Sequence, residues 1–127
     1  METKREKLES QLSALARALD GRLEDVYGNL YQRYPNRLPR GKAANPAYDG
    51  LFSTTVPFTL GYGSQYGRGY IVQVDIDTLE QVSGEEREKI KEDIFKFVED
   101  NLVKFVPDRN AKVVHDGNLI KIIGDLI

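Results

Sequence analysis

The sequence predicts a two-layer α+β domain in which two main helices cover one face of a four-stranded, mainly antiparallel sheet built from two hairpins. Three observations support this class. Two stretches carry apolar residues at helical spacing, two others alternate as strands do, and the order along the chain is helix, hairpin, helix, hairpin. With 127 residues, of which 40% are apolar and 30% charged, we expect residues 1–127 to form one domain around one core.

The first predicted helix begins at a capping box, since Thr3 and Glu6 have the spacing that satisfies free backbone N–H groups at a helix start. An apolar stripe follows and changes phase near Gly21, and Pro35 excludes the helical conformation from the residue before it. The stripe consists of Leu8, Leu12, Leu15 and Leu19, then Leu23, Val26 and Leu30.

The prediction is therefore a long N-terminal helix from Met1 to Tyr34, with two alternatives for its shape. It is kinked or broken near Gly21, or its first half projects from the domain and pairs with a second copy. In the second case the four leucines Leu8, Leu12, Leu15 and Leu19 form a dimer interface.

A loop from Pro35 to Gly50 and a hairpin are predicted next. The loop contains three prolines and two glycines. Val56, Phe58 and Leu60 alternate as in a half-buried strand, and Pro57 places that strand at a sheet edge. The glycine-rich run Gly61–Gly69 is the hairpin tip, and Tyr70–Ile76 is the partner strand, with Tyr70 in the core.

The second half of the chain repeats the helix and hairpin order. Ser83 and Glu86 form a second capping box, and an apolar stripe of Ile90, Ile94, Val98 and Leu102 ends before Pro107. Two apolar segments then flank Asp116-Gly117, a strong two-residue turn signal. In that register Val113 faces Ile120 and Ala111 faces Ile122.

Composition excludes several classes of protein. The chain has no cysteine, which removes disulfide scaffolds, thiolate metal sites and thiol nucleophiles and favours a cytoplasmic location. No apolar run approaches the ~18 residues of a membrane span. The net charge of −2 argues against general affinity for nucleic acid, although the stretch Gln32–Tyr48 carries only positive charges, and Asp75–Asp93 has eight acids against three bases.

The candidate binding residues combine this basic loop with the hairpin tip. Aromatic rings interleaved with arginine can stack on single-stranded nucleic acid, while a basic loop follows its backbone. The candidates are Tyr62, Tyr66 and Arg68 in the tip, and Arg33, Arg37, Arg40 and Lys42 in the loop. A nucleotide phosphate loop is excluded, because a strand rather than a helix follows the glycines.

Two further sets of residues are only weak indications of a catalytic or metal-binding site. His115 is a lone histidine beside a turn, which is typical of a surface residue, and a metal site needs more ligands. Asp75 and Asp77 share one face of a strand and could bind a cation or act as an acid and a base, but solvated acids are expected on that face.

The function predicted from the sequence is a non-catalytic binding or adaptor module that self-associates as a homodimer through the N-terminal helix. Binding of a protein partner is also compatible with the sequence. An alternative is single-stranded RNA binding through the tip and the basic loop. A second alternative is a small carboxylate-dependent enzyme using Asp75 and Asp77. No cofactor, metal or membrane association is predicted.

Overall fold

The computed structural model describes residues 2–44 and 49–124. Within them the chain forms two helices and one antiparallel five-stranded sheet. This confirms the predicted α+β class. In chain order the elements are α1 (Lys4–Tyr27), β1 (Phe52–Thr55), β2 (Phe58–Thr59), β3 (Gly69–Ile76), α2 (Gly84–Phe105), β4 (Lys112–Asp116) and β5 (Leu119–Ile123).

Helix α1 begins where predicted but ends earlier and is continuous. Thr3 is the N-cap, and its hydroxyl accepts a hydrogen bond from the backbone N–H of Glu6 at 3.0 Å. Helical residues run through Gly21 without a break, and Gly28 caps the C-terminus. The predicted extension to Tyr34 is therefore wrong, because the chain turns at Gly28 to run beside the end of β3.

The apolar face of α1 continues through Leu23, as the sequence pattern predicted, and then through Tyr27 rather than Val26 and Leu30. Leu23 and Tyr27 are buried, whereas Val26 is 48% exposed and Leu30 is 43% exposed. The buried face thus keeps an i, i+4 step after Leu19, and the phase change that suggested a kink near Gly21 does not occur.

The leucine stripe of α1 lies inside the domain rather than on its surface. Leu8, Leu12, Leu15 and Leu19 are 0–1% exposed and pack with residues of α2 and the sheet in one core. The predictions of a projecting helix and of a leucine dimer interface are therefore wrong, because these side chains are covered by the protein's own fold. Self-association stays a prediction, but it needs other residues.

The sheet has the strand order β1-β3-β5-β4, and β2 also pairs with β3. Phe52 lies opposite Ile76, and Phe58 lies opposite Tyr70, so β1 and β2 follow one common register along β3. They are two halves of one edge strand interrupted at Val56-Pro57, which we call the β1–β2 edge. The strand order therefore confirms the edge position that was predicted from Pro57.

The second helix and hairpin form as predicted, with a different register. Ser83 caps α2 by accepting a hydrogen bond from Glu86 N–H at 3.1 Å. In the hairpin, however, Val113 pairs with Ile122, not Ile120. The loop consists of Gly117 and Asn118. Of these two residues only Gly117 has positive φ, as in a type II′ turn, whose first central residue is glycine.

The two faces of the sheet have different surroundings. The inner face carries Tyr70, Val72, Ile120 and Ile122, which join the apolar faces of both helices in the core. On the outer face the central residue is Lys121, which pairs with Ile71 and Val114 in neighbouring strands. No helix within residues 2–44 and 49–124 combines the length and apolarity needed to cross a membrane.

Candidate functional site

Arg37, from the basic loop, stabilises the fold. Its guanidinium donates hydrogen bonds to the carbonyl oxygens of Gly50 at 2.6 Å, Asp49 at 2.8 Å and Phe52 at 3.0 Å. It also pairs with the Asp77 carboxylate at 3.2 Å, and both side chains are mostly buried. Arg37 thus ties the loop to the ends of β1 and β3.

The other basic residues of the loop remain nearer to solvent. Arg33 donates to the Arg37 carbonyl at 3.0 Å, and Arg40 pairs with Asp25 on α1 at 2.5 Å. Lys42 is exposed. Two of the four predicted basic residues therefore form ion pairs with acids of the same chain.

The glycine-rich tip folds over the outer face of the sheet and covers Lys121. The ammonium of Lys121 donates to Ser64 Oγ at 3.2 Å and to the Gly67 carbonyl, and it pairs with Asp116 at 3.1 Å. Ser64 also donates to Asp116, and these two partners hold the pKa of Asp116 below its usual value. The tip is thus anchored to the second hairpin.

The structure does not bring the tip and the basic loop together. Tyr62 is 90% exposed, and Tyr66 and Arg68 are also exposed, so the tip presents the predicted side chains to solvent. The tip precedes the first residue of β3, whereas the loop bonds to Asp77 beyond its last residue. The two halves of the predicted nucleic-acid site therefore lie at opposite ends of β3, whose eight residues span about 26 Å.

The remaining sequence candidates are also separated. Asp75 is exposed on the outer face, while Asp77 accepts from Ser53 Oγ at 2.5 Å and pairs with Arg37. His115 stacks on Phe95 of α2 with ring centroids 4.0 Å apart. Within residues 2–44 and 49–124, no group of three histidine or acidic side chains is arranged to hold a metal ion.

Three buried carboxylates lie close together beside α1, and sequence reasoning missed them. They are Asp20, Glu24 and Asp49. Asp49 accepts hydrogen bonds from the N–H groups of Gly41 and Ala43, at 2.9 and 3.0 Å, and so closes a turn of the loop. The i, i+4 pair Asp20 and Glu24 on the buried face of α1 is the sequence signal that could have revealed the cluster.

The environment shifts the titration of both helix carboxylates. Burial raises the pKa of Asp20 to about 6, although the hydroxyl of Thr54, 3.0 Å from Oδ1, stabilises the charged form. Burial likewise raises the pKa of Glu24, against backbone hydrogen bonds from Phe52 and Leu51 that lower it. A buried acid with a raised pKa that lines a cleft is a common feature of functional sites.

Asp20 lines a groove of about 400 Å³ between α1 and the β1–β2 edge, which we call the edge groove. This volume lies within the range of protein binding sites. One wall belongs to α1 and the other to the edge strand, and Tyr70 of β3 also lines the groove. The lining residues are Glu9, Ser13, Ala16, Arg17, Asp20, Thr54, Thr55, Val56, Pro57, Phe58 and Tyr70.

The strand wall of the edge groove presents unpaired backbone groups. Ile71 N–H donates to the Pro57 carbonyl at 2.9 Å, so the backbone of Pro57 faces β3. Because backbone direction alternates along an antiparallel strand, the N–H and C=O groups of Thr54, Val56 and Phe58 point away from the sheet. They have no hydrogen-bond partner in the part of the chain that the structure describes.

Side chains cap the same edge at its beginning. Phe52 has the same backbone direction as Thr54, and its N–H donates to Glu24 Oε1 at 2.9 Å, while its carbonyl accepts from Arg37 at 3.0 Å. Glu24 and Arg37 therefore occupy the positions of a neighbouring strand at Phe52. Thr54 is only 6% exposed, so the solvent-accessible part of the edge begins at Val56.

Comparison with known proteins places the chain in a family. A family model with the description "Uncharacterised protein" matches residues 3–124. The chain belongs to this family. It is also similar to an "Uncharacterized protein" of Borreliella burgdorferi, strain B31, with 43% identity over 102 residues, which cover 80% of each chain. No solved structure matches the chain.

Proposed function

We propose that the protein is a non-catalytic binding module that takes up an extended segment of a partner protein as an additional strand on the β1–β2 edge. The observation that carries this proposal is the row of outward backbone groups at Thr54, Val56 and Phe58, beside a groove formed with α1. Addition of a strand to an exposed edge is a recurrent mode of peptide recognition.

The dimensions of the edge support a short segment. The three outward residues are two apart, so their spacing matches the alternating bonding positions of a guest strand. About five residues of the guest cover this length. Glu24 and Arg37 close the edge at Phe52 and so define where the guest strand stops.

The lining of the groove favours a peptide over a nucleic acid. Its charged groups are Glu9, Arg17 and Asp20, a mixed set with an excess of acid. A polyanion needs clustered positive charge, which these residues do not provide. A peptide strand instead places alternate side chains over α1, where Ala16 leaves room and Asp20 offers a hydrogen-bond acceptor.

The carboxylates support binding more than catalysis. Glu24 and Asp49 accept backbone hydrogen bonds and hold the loop and the edge in place. Of the three, only Asp20 lines the groove. General acid and base chemistry uses two groups with opposed roles, and a single carboxyl beside unpaired backbone groups fits recognition.

The test uses a displayed library of random peptides, selected on the intact protein. The affinity of a selected peptide is then measured for Val56→Pro and for Val56→Thr. Proline removes the outward N–H at this position, whereas threonine keeps it with nearly the same shape. We expect Val56→Pro to weaken binding by about tenfold or more and Val56→Thr to bind nearly as the wild type does.

Amide exchange provides a second readout on the wild type. The bound peptide should slow hydrogen exchange at Val56 and Phe58, whose N–H groups face the guest. Circular dichroism checks that Val56→Pro is folded. Equal affinity of both variants with unchanged exchange at the edge, or a selection that yields no binding peptide, contradicts the proposal.

Single-stranded RNA binding at the tip is a second candidate, since Tyr62 is 90% exposed and accompanies Tyr66 and Arg68 there. Aromatic side chains of this kind stack on unpaired bases. The test is titration with labelled oligouridine at low salt, comparing wild type with Tyr62→Ala. Binding that Tyr62→Ala abolishes supports this candidate, and no binding at low salt removes it.

A further inference from the structure

The other edge of the sheet is formed by β4, which pairs only with β5 among the described strands. Its five residues are Lys112, Val113, Val114, His115 and Asp116, and all of them are at least partly exposed. Exposed edges present unpaired backbone groups to other chains. The outer side of β4 is thus a second place where a strand can be added.

The turn determines which backbone groups of β4 are available. Asp116 and Leu119 flank the two-residue loop, so they form the hydrogen-bonded pair next to it. Alternation then directs the backbone of Val114 and Lys112 towards β5 as well. The N–H and C=O groups of Val113 and His115 point outwards, and no backbone hydrogen bond from them to a residue outside the sheet occurs in residues 2–44 and 49–124.

The sequence of β4 is complementary to itself in the antiparallel direction. When two copies are related by a two-fold axis at Val114, the outward residues meet, Val113 opposite His115. Lys112 then lies opposite Asp116 at both ends, and Val114 lies opposite Val114 of the second copy. Opposite charges across a strand pair are favourable, and apolar residues occupy the centre.

Other registers lose these pairs. A two-fold axis at Val113 leaves Asp116 outside the ladder, and an axis at His115 leaves Lys112 outside it. Only the axis at Val114 places all five residues in the ladder and joins both charge pairs. The register is therefore specified by the sequence of the strand itself.

We propose that two copies of this chain associate through their β4 strands, with the axis at Val114, and form one continuous antiparallel sheet. A closed two-fold dimer of this kind removes the open edge from both copies. The leucines of α1 stay in the core of each copy. The proposal is independent of peptide binding, because it uses the opposite edge of the sheet.

A disulfide test follows directly from the register, because the chain contains no cysteine. Opposite residues without mutual hydrogen bonds have Cα atoms about 4.5 Å apart, which lies within the range of disulfides. We expect Val114→Cys to form a covalent dimer rapidly under mild oxidation. Gln73→Cys, also on the outer face but two strands from this edge, and Thr55→Cys on the β1–β2 edge are the matched controls and should remain uncrosslinked.

A charge test uses the protein without the introduced cysteines. Lys112→Glu places an acid opposite Asp116 at both ends, and we expect sedimentation equilibrium to show an increase of about tenfold or more in the dimer dissociation constant. Lys89→Glu makes the same charge change on the exposed side of α2 and should leave the constant unchanged. Val56→Pro should also leave it unchanged, which separates this proposal from peptide binding.

Three results would overturn the proposal. One is a wild-type protein that sediments as a monomer at every concentration. Another is equal crosslinking of Val114→Cys and Gln73→Cys. The third is a dimer that Lys112→Glu does not weaken or that Thr55→Cys crosslinks instead.

Discussion

At the scale of single residues, the three buried carboxylates beside α1 differ in their partners and therefore in their roles. Asp49 and Glu24 accept backbone N–H groups, which satisfies donors that would otherwise be buried without a partner. Among the described residues, Asp20 accepts a hydrogen bond only from the Thr54 hydroxyl, and burial raises its pKa to about 6. Asp20 therefore changes its charge at a pH well above that of an ordinary aspartate.

The first prediction concerns the stability cost of ionising Asp20. Below pH 3.8 the carboxyl is protonated in both the folded and the unfolded chain. As pH rises from 3.8 to about 6, the unfolded chain releases the proton while the folded chain retains it, so stability falls. The difference corresponds to about 3 kcal/mol, lost in full above about pH 6.

Asp20→Asn should remove this cost, because a neutral amide avoids both the desolvation of a buried charge and its repulsion by nearby Glu24 and Asp49, while its oxygen still accepts from Thr54. Urea unfolding should show a variant more stable than wild type at pH 8 and equal to it near pH 3. Asp75→Asn, at an exposed site, is the control and should follow the wild-type profile. A stability gain that is constant with pH would contradict the assignment.

The second prediction concerns Gly50, where the chain passes Glu24. Gly50 has φ +73°, and a Cβ built on it would overlap the Glu24 carboxylate. Gly50→Ala should lower the free energy of unfolding by about 2 kcal/mol or more. Gly63→Ala is a matched control with φ +80° and open space around it, so it carries only the backbone strain. Equal losses in urea unfolding would show that Glu24 is not a fixed neighbour.

At the scale of elements, Lys121 holds the glycine-rich hairpin tip against the outer face of the sheet. The side chain is only 1% exposed, and its ammonium contacts Ser64, Gly67 and Asp116. Burial of a cation requires such partners. The order of the tip therefore depends on a residue more than fifty positions away in sequence.

The third prediction tests this dependence with Lys121→Met, which keeps most of the length of the side chain and removes its charge. Hydrogen exchange at the Ser64 and Gly67 amides should become faster, because the tip loses its anchor. The pKa of Asp116 should move back towards its ordinary value. Lys89→Met, at an exposed site, should change neither. Unchanged exchange in Lys121→Met would mean that the glycines and Ser64 order the tip without the cation.

The two edge strands are the elements with the clearest consequences for binding. The β1–β2 edge is capped at Phe52 and accessible at Val56 and Phe58, whereas the β4 edge is short and self-complementary. The two proposals assign a different kind of strand to each edge. Because the edges lie on opposite sides of the sheet, we expect partner binding and association of two copies not to compete.

At the scale of the whole molecule, α1, α2 and the inner face of the sheet share one core. Burial of each leucine contributes roughly 2 kcal/mol, so the apolar face of α1 is a major part of the stability of the domain. Helix α1 is therefore part of the folding unit, and its removal would expose the inner face of the sheet.

The fourth prediction compares Leu15→Ala with Leu79→Ala. Leu15 is 1% exposed and Leu79 is 79% exposed. Leu15→Ala should reduce the free energy of unfolding by about 3 kcal/mol, and Leu79→Ala by less than about 0.5 kcal/mol. The dimer dissociation constant should be the same for both folded variants. A Leu15→Ala protein that keeps its stability but loses association would restore the leucine interface.

Local sequence was sufficient for the two helices, the second hairpin and the class of fold, but not for the C-terminal end of α1 or the bounds of β1. Caps at Thr3 and Ser83, alternation around Val72 and the turn at Gly117 act over a few residues, so their structural effect can be inferred without knowing the rest of the chain. The same locality explains the errors. A two-residue difference in register leaves the same side chains on the same face, and periodicity alone cannot detect it.

The candidate site could not be inferred in this way. An apolar stripe at helical spacing has the same pattern whether its partner is the chain's own sheet or a second copy, and only the packed structure shows that the leucines of α1 face inwards. Positive charge in a loop likewise does not reveal that Arg37 is paired with Asp77.

The sequence by itself determined the helices, the hairpins and the α+β class, because these depend on interactions between residues close in the chain. Tertiary structure decided which edges of the sheet remain open, which carboxylates are buried and which arginines are already paired. These properties depend on contacts between distant segments, such as Glu24 with Phe52 and Lys121 with Gly67, whose pairing no local pattern encodes.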